Sequence, residues 1–236
     1  VLVIAADQPS RFAHDMATTP WLDGLLVRRN IGYDFGSWRA GLTASPQIAR
    51  ASLLALANDS VYGPLDGFDA MLARVDASQA DIVGVIESFE RLHHLQSFLV
   101  FYKPAALHAP AFRQFWKIVS IGGREDVIVQ RELRFLFDML LANIKVDVLF
   151  PSERGSTLNP TLCRWRELLD AGFPFIKVQL LRENPKGADI DGWEIELTKR
   201  GYDPAAVVLH LGQDFAKSAA ADSLARTAGI IEVIGP

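Results

Sequence analysis

The segment Leu54-Ala55-Leu56-Ala57-Asn58-Asp59-Ser60 passes abruptly from apolar to polar. A carboxylate and an amide at a strand end can reach a metal ion or a ribose hydroxyl, because the sheet fixes the backbone that carries them. Mg²⁺ and Mn²⁺ are hard cations that prefer such oxygens and share them with substrate phosphates. Asn, Asp and Ser are also good cap and turn formers, so spacing alone leaves a ligand site and a simple turn both open. A second candidate is Asn30-Ile31-Gly32-Tyr33-Asp34-Phe35-Gly36. Two glycines and a helix start would let a diphosphate approach backbone N–H groups, and Arg28, Arg29 and Arg39 lie near in sequence to pair with phosphate. An ordinary strand-to-helix turn has the same composition.

Further along, His93-His94-Leu95-Gln96-Ser97 leads into an apolar strand. Adjacent strand residues face opposite ways, which argues against a joint histidine metal site. A single His94 or Gln96 could meet sugar hydroxyls, or be structural or exposed. Glu125 and Asp126 fit the first turn of a helix, where the macrodipole favours acids. Glu132 has no such account, and a carboxylate in a partly dry cleft can serve as a general base. Lys177 could meet a phosphate or be a plain surface lysine. His210 lies in an apolar run and reads as a core or helix-face residue, or as a metal or phosphate contact. Neither G-x-x-x-x-G-K-[ST] nor G-x-G-x-x-G occurs, which weakens a nucleotide-binding reading of another α/β type.

These residues need a scaffold. Apolar runs predict strands ending at Asp7 and covering Leu25–Val27, Ser52–Ala57, Asp81–Ile86, Ser97–Tyr102 and Val146–Leu149. Helical patterns cover residues 66–75, 110–119 and 125–142, and a further helix opens near Gly32–Trp38. A Pro/Gly/Ser-rich loop follows over 151–160, then a mainly helical remainder with an alanine-rich tail over 216–228. Strands alternating with helices predict an α/β fold with a mostly parallel, Rossmann-type sheet covered on both faces. Ligands gather at the carboxyl ends of strands in such sheets, where both polar segments fall.

The bulk properties narrow the class. Of 236 residues, 50% are hydrophobic and 22% charged, a globular profile. A formal net charge of −4 argues against general nucleic-acid binding, which needs a basic face. The single cysteine, Cys163, rules out an intrachain disulfide framework and fits a reducing, cytoplasmic setting. No run reaches the about 18 apolar residues of a membrane span. The chain starts at Val1 without a methionine or a signal peptide, as a piece of a longer protein would.

Taken in order, several segments resemble the rhamnan synthesis protein F family. They are Asn30 to Trp38, Asn58-Asp59-Ser60-Val61-Tyr62-Gly63-Pro64, His94-Leu95-Gln96-Ser97-Phe98, Glu132, and Gly172-Phe173-Pro174-Phe175-Ile176-Lys177 with Asn184-Pro185. The resemblance implies a GT-A-like glycosyltransferase domain over residues 1–185 and a helical extension over 186–236 packed on it. It implies that a sugar, dTDP-L-rhamnose being the usual donor, passes to a glycan or lipid-linked glycan acceptor of a cell-surface polysaccharide. Peripheral membrane association would be compatible with such an acceptor.

By the same resemblance, Asn58, Asp59 and Ser60 stand at the DxD strand end that holds diphosphate and metal. Asn30, Gly32, Asp34 and Lys177 would face the donor, His94, Gln96 and Ser97 the sugar or acceptor, and Glu132 would be the catalytic base of an inverting transfer. His210 is a further, weaker metal candidate. Asn58 departs from the first acid of a DxD, which leaves Mg²⁺ or Mn²⁺ dependence open. The family has another strand and helix ahead of Val1–Ala6, so an incomplete catalytic unit is expected. The rival reading is a non-catalytic carbohydrate-binding or assembly module of a larger synthase.

Overall fold

The computed structural model describes residues 1–5, 20, 22–118, 122–153 and 156–213. The expected end of the first strand at Asp7 and the alanine-rich tail lie outside them. Strands β1 (Leu2–Ala5) and β2 (Leu25–Arg28) pair in parallel, and helix α1 (Tyr33–Ala44) follows. The central sheet is built from β3 (Leu54–Ala57), β5 (Ile82–Ser88), β6 (His94–Leu95), β7 (Leu99–Tyr102) and β8 (Val146–Phe150). A small antiparallel pair joins β4 (Val61–Tyr62) to β9 (Ile176–Lys177). The helices between and after them are α2 (Phe68–Ala77), α3 (Pro104–His108), α4 (Pro110–Lys117), α5 (Arg124–Val127), α6 (Leu133–Leu141), α7 (Pro160–Cys163), α8 (Trp165–Asp170), α9 (Val178–Arg182) and α10 (Trp193–Lys199). Residues 204–213 form a last helical stretch.

The expected mostly parallel sheet is corrected by the pairings. β3 and β5 each pair antiparallel with β7, β6 pairs antiparallel with β5, and the β5–β8 pairing is parallel. The chain returns from β5 to β6 through residues 89–93 alone, whereas a parallel return needs a crossover of about a dozen residues or more. A tight return must reverse the strand. β3, β5 and β8 therefore run in one direction, with β7 reversed between β3 and β5.

At its centre, in β5 and β7, the sheet is buried on both faces, as the unbroken apolar runs require. Every residue of β5 is buried. Ile82 joins Trp38, Tyr102, Phe112, Phe115, Phe135 and Met139 beneath α1, α4 and α6. Val83 and Val85 join Met71, Val75, Phe101, Leu149 and Phe173 on the α2 side. A third cluster unites Tyr62, Leu65, Trp165, Ile176 and Leu180 with Leu197 and Val207, so these two later residues share a core with β4 and β9. No helix among the described residues is long and apolar enough to cross a membrane.

Two irregular backbone features bear on where polar side chains point. Residues Ile128–Glu132, between α5 and α6, form a π-helical turn, a rare geometry that tends to occur where a helix must re-aim a side chain. In α1, a Cβ on Gly36 would collide with the carbonyl oxygen of Ile31 and lie 3.0 Å from the Arg28 guanidinium. Helix propensity alone makes Gly→Ala favourable by about 1 kcal/mol. The collision should reverse that sign: Gly36→Ala is expected to lower the melting temperature, and an unchanged or higher value would show that the turn before α1 has no such constraint.

Candidate functional site

The site begins where β2 turns into α1. Gly32 sits in the left-handed region at φ 77°, which a residue with a Cβ adopts only at a cost. Its carbonyl accepts the Gly36 N–H at 2.8 Å, and the Arg28 guanidinium donates to the Ile31 carbonyl and, at 2.9 Å, to Ser37 Oγ. Trp38 Nε1–H donates to the Ala57 carbonyl at 2.9 Å and pins α1 to the end of β3. Asp34, one helical turn before Trp38, shares that face. It accepts a hydrogen bond from Asn58 Nδ2 at 2.8 Å.

Asn58 is thereby held on three sides. Its backbone N–H donates to the Phe98 carbonyl at 3.0 Å, prolonging the β3–β7 ladder. Its side-chain oxygen accepts from Ser60 N at 3.1 Å and Ser60 Oγ at 2.7 Å. The turn reading of Asn58-Asp59-Ser60 is thus physically realised in the same residues that face Asp34. Asp59, at the crest of the turn, is exposed and makes no hydrogen bond among the described residues. Lys177 arrives from β9, whose register places it opposite Val61. Its ammonium donates to Ser60 Oγ at 3.3 Å and lies 4.9 Å from the centre of the Phe98 ring.

Glu132 closes the group from the far side. It ends the π-helical turn, and its Oε1 accepts from Ser97 N at 3.0 Å and Ser97 Oγ at 2.8 Å. Its Oε2 makes no hydrogen bond among the described residues. The charges sense one another. Partial desolvation raises the Asp34 carboxyl above the usual range; the Asn58 hydrogen bond opposes this, the Asp59 and Glu132 charges add to it, and Lys177 pulls it down. Desolvation draws the Lys177 ammonium down to about 8, against the pull of Glu132 and Asp34. Asp34, Asn58, Asp59, Ser60, Ser97, Glu132 and Lys177 thus form one group.

The other candidates are placed elsewhere. Gln96, almost fully buried, donates to Asn159 Oδ1 at 3.0 Å and accepts from Thr161 Oγ1 at 3.1 Å. His94 is buried on β6 with Nδ1 2.7 Å from the Leu92 carbonyl. Asn30 is exposed, without a hydrogen bond among the described residues. His210 Nδ1 lies 2.9 Å from the Tyr62 hydroxyl, and no group of three or more His, Cys, Asp or Glu able to hold a metal occurs among the described residues.

Sequence reading passed over a second polar cluster at the ends of β5 and β8. There Glu87 pairs with His93 at 2.6 Å and accepts from Ser152 N, and Glu90 pairs with Lys186 at 2.7 Å. Asn159 caps α7 by accepting from Thr161 N at 3.2 Å. Asn159-Pro160 was the available signal, since Asn before Pro marks a helix start.

With this geometry in place, the relatives of the chain gain meaning. The model of the rhamnan synthesis protein F family matches residues 1–212, and the chain belongs to that family. The family takes its name from rhamnan synthesis. The uncharacterized protein y4gN of Sinorhizobium fredii is 31% identical over 136 residues, covering 55% of this chain and 35% of that protein. Virulence protein VirA of Vibrio anguillarum is 26% identical over 200 residues, covering 70% of this chain and 64% of that protein. The chain thus spans about a third of one relative and just under two thirds of the other. No solved structure matches it.

Lys177 gives the site a measurable signature. Its folded value of about 8 lies below the 10.5 of an unperturbed lysine, so between these values the unfolded chain holds the extra proton. The stability contribution of Lys177 therefore rises with pH across that window: the cost of burying the ammonium is full below about pH 8 and fades toward 10.5. An NMR titration of the Lys177 side chain should give a value near 8. The difference in unfolding free energy between wild type and Lys177→Met should move in favour of wild type as pH rises from 8 to 10. A lysine titrating above 10 would mean that its ammonium is fully hydrated.

Proposed function

We propose that this chain is a glycosyltransferase that moves a sugar, rhamnose by family resemblance, from a nucleotide-sugar donor to a growing cell-surface polysaccharide with inversion at the anomeric carbon. Family membership supplies the polysaccharide context. The observation that carries the reading is the convergence of Asp34, Asp59, Lys177 and Glu132 on one site from β3, β9, α1 and the π-helical turn.

In this reading the free Oε2 of Glu132 takes the proton of an acceptor hydroxyl, while Ser97 holds Oε1 and fixes the carboxylate. The acceptor oxygen attacks the anomeric carbon from the face opposite the leaving group. The bond from that carbon to the diphosphate oxygen breaks, and the nucleoside diphosphate leaves with the electron pair. Lys177, with Ser60 beside it, lies where an ammonium offsets the charge developing on the diphosphate. The same reading has cytoplasmic nucleotide-sugar as its supply.

The donor chemistry also suits a hard cation. Asp59 raises the neighbouring Asp34 carboxyl, a repulsion that a divalent ion would relieve, and carboxylate oxygens are what Mg²⁺ and Mn²⁺ select. Asp59 would hold such an ion jointly with diphosphate oxygens, and the ion would supply further charge neutralisation.

A second reading, a non-catalytic carbohydrate-binding or assembly module, draws on Asn58 in place of an acid and on the part of its relatives that the chain spans. Turnover separates the two. Glu132→Gln is expected to lower sugar transfer by about 10²–10⁴-fold with donor binding retained; equal turnover in wild type and variant would remove Glu132 from the reaction. Nucleotide-sugar binding absent in wild type, with glycan binding present, would favour the module. Chelation by EDTA is expected to depress transfer by wild type, with recovery on adding Mn²⁺, and to have no further effect on Asp59→Ala. Transfer indifferent to EDTA would place the whole counter-charge on Lys177.

A further inference from the structure

A second basic feature lies further round α1. Phe35 and Arg39 sit one helical turn apart, about 100° round the helix from Asp34 and Trp38, with the Phe35 ring against that of Trp38. With Arg28, Gly36, Ile118 and Arg131 they line a pocket of about 220 Å³. Three arginines line it, and none of its lining residues among those described is acidic. Among the described residues the acid that Arg131 senses is Asp138, which accepts a hydrogen bond from Arg134 Nε at 3.2 Å. Arg131 in turn senses Arg39 as a like charge.

The guanidinium groups are held in place. Arg131 is only 4% exposed, donates to the carbonyls of Phe115 at 2.6 Å and Ile118 at 3.1 Å, and stacks 4.0 Å over the Phe115 ring. Arg28 is tied to Ser37 and Ile31. Yet the Nε groups of Arg39 and Arg131 are buried with no partner. With Trp116 Nε1, which belongs to a ring stacked on Phe35, they are all the buried side-chain polar atoms without a partner among the described residues. Buried donors in a folded protein are normally paired, and leaving one unpaired is costly. Arg39 and Arg131, which carry two of these donors, both line the pocket, and gathering three like charges there is costly unless an anion enters.

We propose that the Arg28–Arg39–Arg131 pocket binds a phosphate or diphosphate group at a site separate from the Asp34–Lys177 group. Planar, pre-positioned guanidinium groups suit phosphate oxygens. The volume falls below the ~300–1,000 Å³ of pockets that enclose a whole small molecule, so it fits a terminal anionic group rather than a complete nucleotide-sugar. That group has two possible sources: the nucleoside diphosphate, or a phosphorylated carrier on the acceptor. The proposal stands on the pocket itself and holds whether or not the chain transfers sugar.

Calorimetric titration of the full chain with inorganic pyrophosphate at low salt tests it. Wild type should bind, Arg39→Gln should weaken binding by about 10-fold or more, and Arg39→Lys should retain part of it. Any component held by the Asp34–Lys177 group should be lost in Lys177→Met, whereas the Arg39-dependent component should persist there. Parallel titrations with dTDP and with a short-chain prenyl diphosphate assign the source, as the ligand whose affinity falls in Arg39→Gln is the one the pocket holds. Pyrophosphate bound equally by wild type and a folded Arg39→Gln would overturn the proposal. So would loss of the Arg39-dependent component in Lys177→Met, because the two charges would then serve one site.

Discussion

The site depends on the reversal of β7. Because β7 runs against β3, its first residues lie beside the last residues of β3, and the Asn58 N–H reaches the Phe98 carbonyl. Had β7 been parallel, Ser97 and Phe98 would have started at the far edge of the sheet, remote from Asn58-Asp59-Ser60. The reversal sets Ser97 next to the β3 turn, and Ser97 is what holds Glu132. The same edge lets Lys177 pack over Phe98. A rule that looks for ligands only at the carboxyl ends of strands finds half of this site; the other half is the amino end of the reversed strand β7.

The charges follow from that geometry. Asp34 and Glu132 come from helical segments on one side of the sheet, and Lys177 from the small β4–β9 pair. A partly desolvated ammonium facing two carboxylates remains mostly protonated near neutral pH, yet near enough to its titration point for a bound anion to shift it. Neighbouring residues of one π-helical turn part company here. Arg131 turns to the arginine pocket under Phe115, and Glu132 turns to Ser97. The irregular turn thus contributes to both clusters, and α1 likewise lends residues to each.

Much of the scaffold was legible in the sequence. Runs such as Asp81–Ile86 and Val146–Leu149 locate strands because burial on both faces demands unbroken apolar residues. Their direction was not legible, since apolar runs read alike in parallel and antiparallel pairing; the short 89–93 return was the usable clue. The two-residue strands β4 and β9 are too short to show a period, so the partner of Lys177 could not be read. Asp34, Asn58 and Asp59 stood out by type at the ends of expected segments, and Glu132 as a carboxylate inside the expected 125–142 helix that the macrodipole did not explain. Gln96 was harder: a polar residue beside a strand gives no sign of its side, and here it turns to Asn159 and Thr161 behind α7.

A crystal structure of the chain with a nucleoside diphosphate sugar tests the central claim most directly. The account places the diphosphate between Asp59, Ser60 and Lys177, with the anomeric carbon on the side of Glu132 Oε2. Density for the sugar nucleotide on another surface, with the Asp34–Lys177 group unchanged and empty, would contradict it.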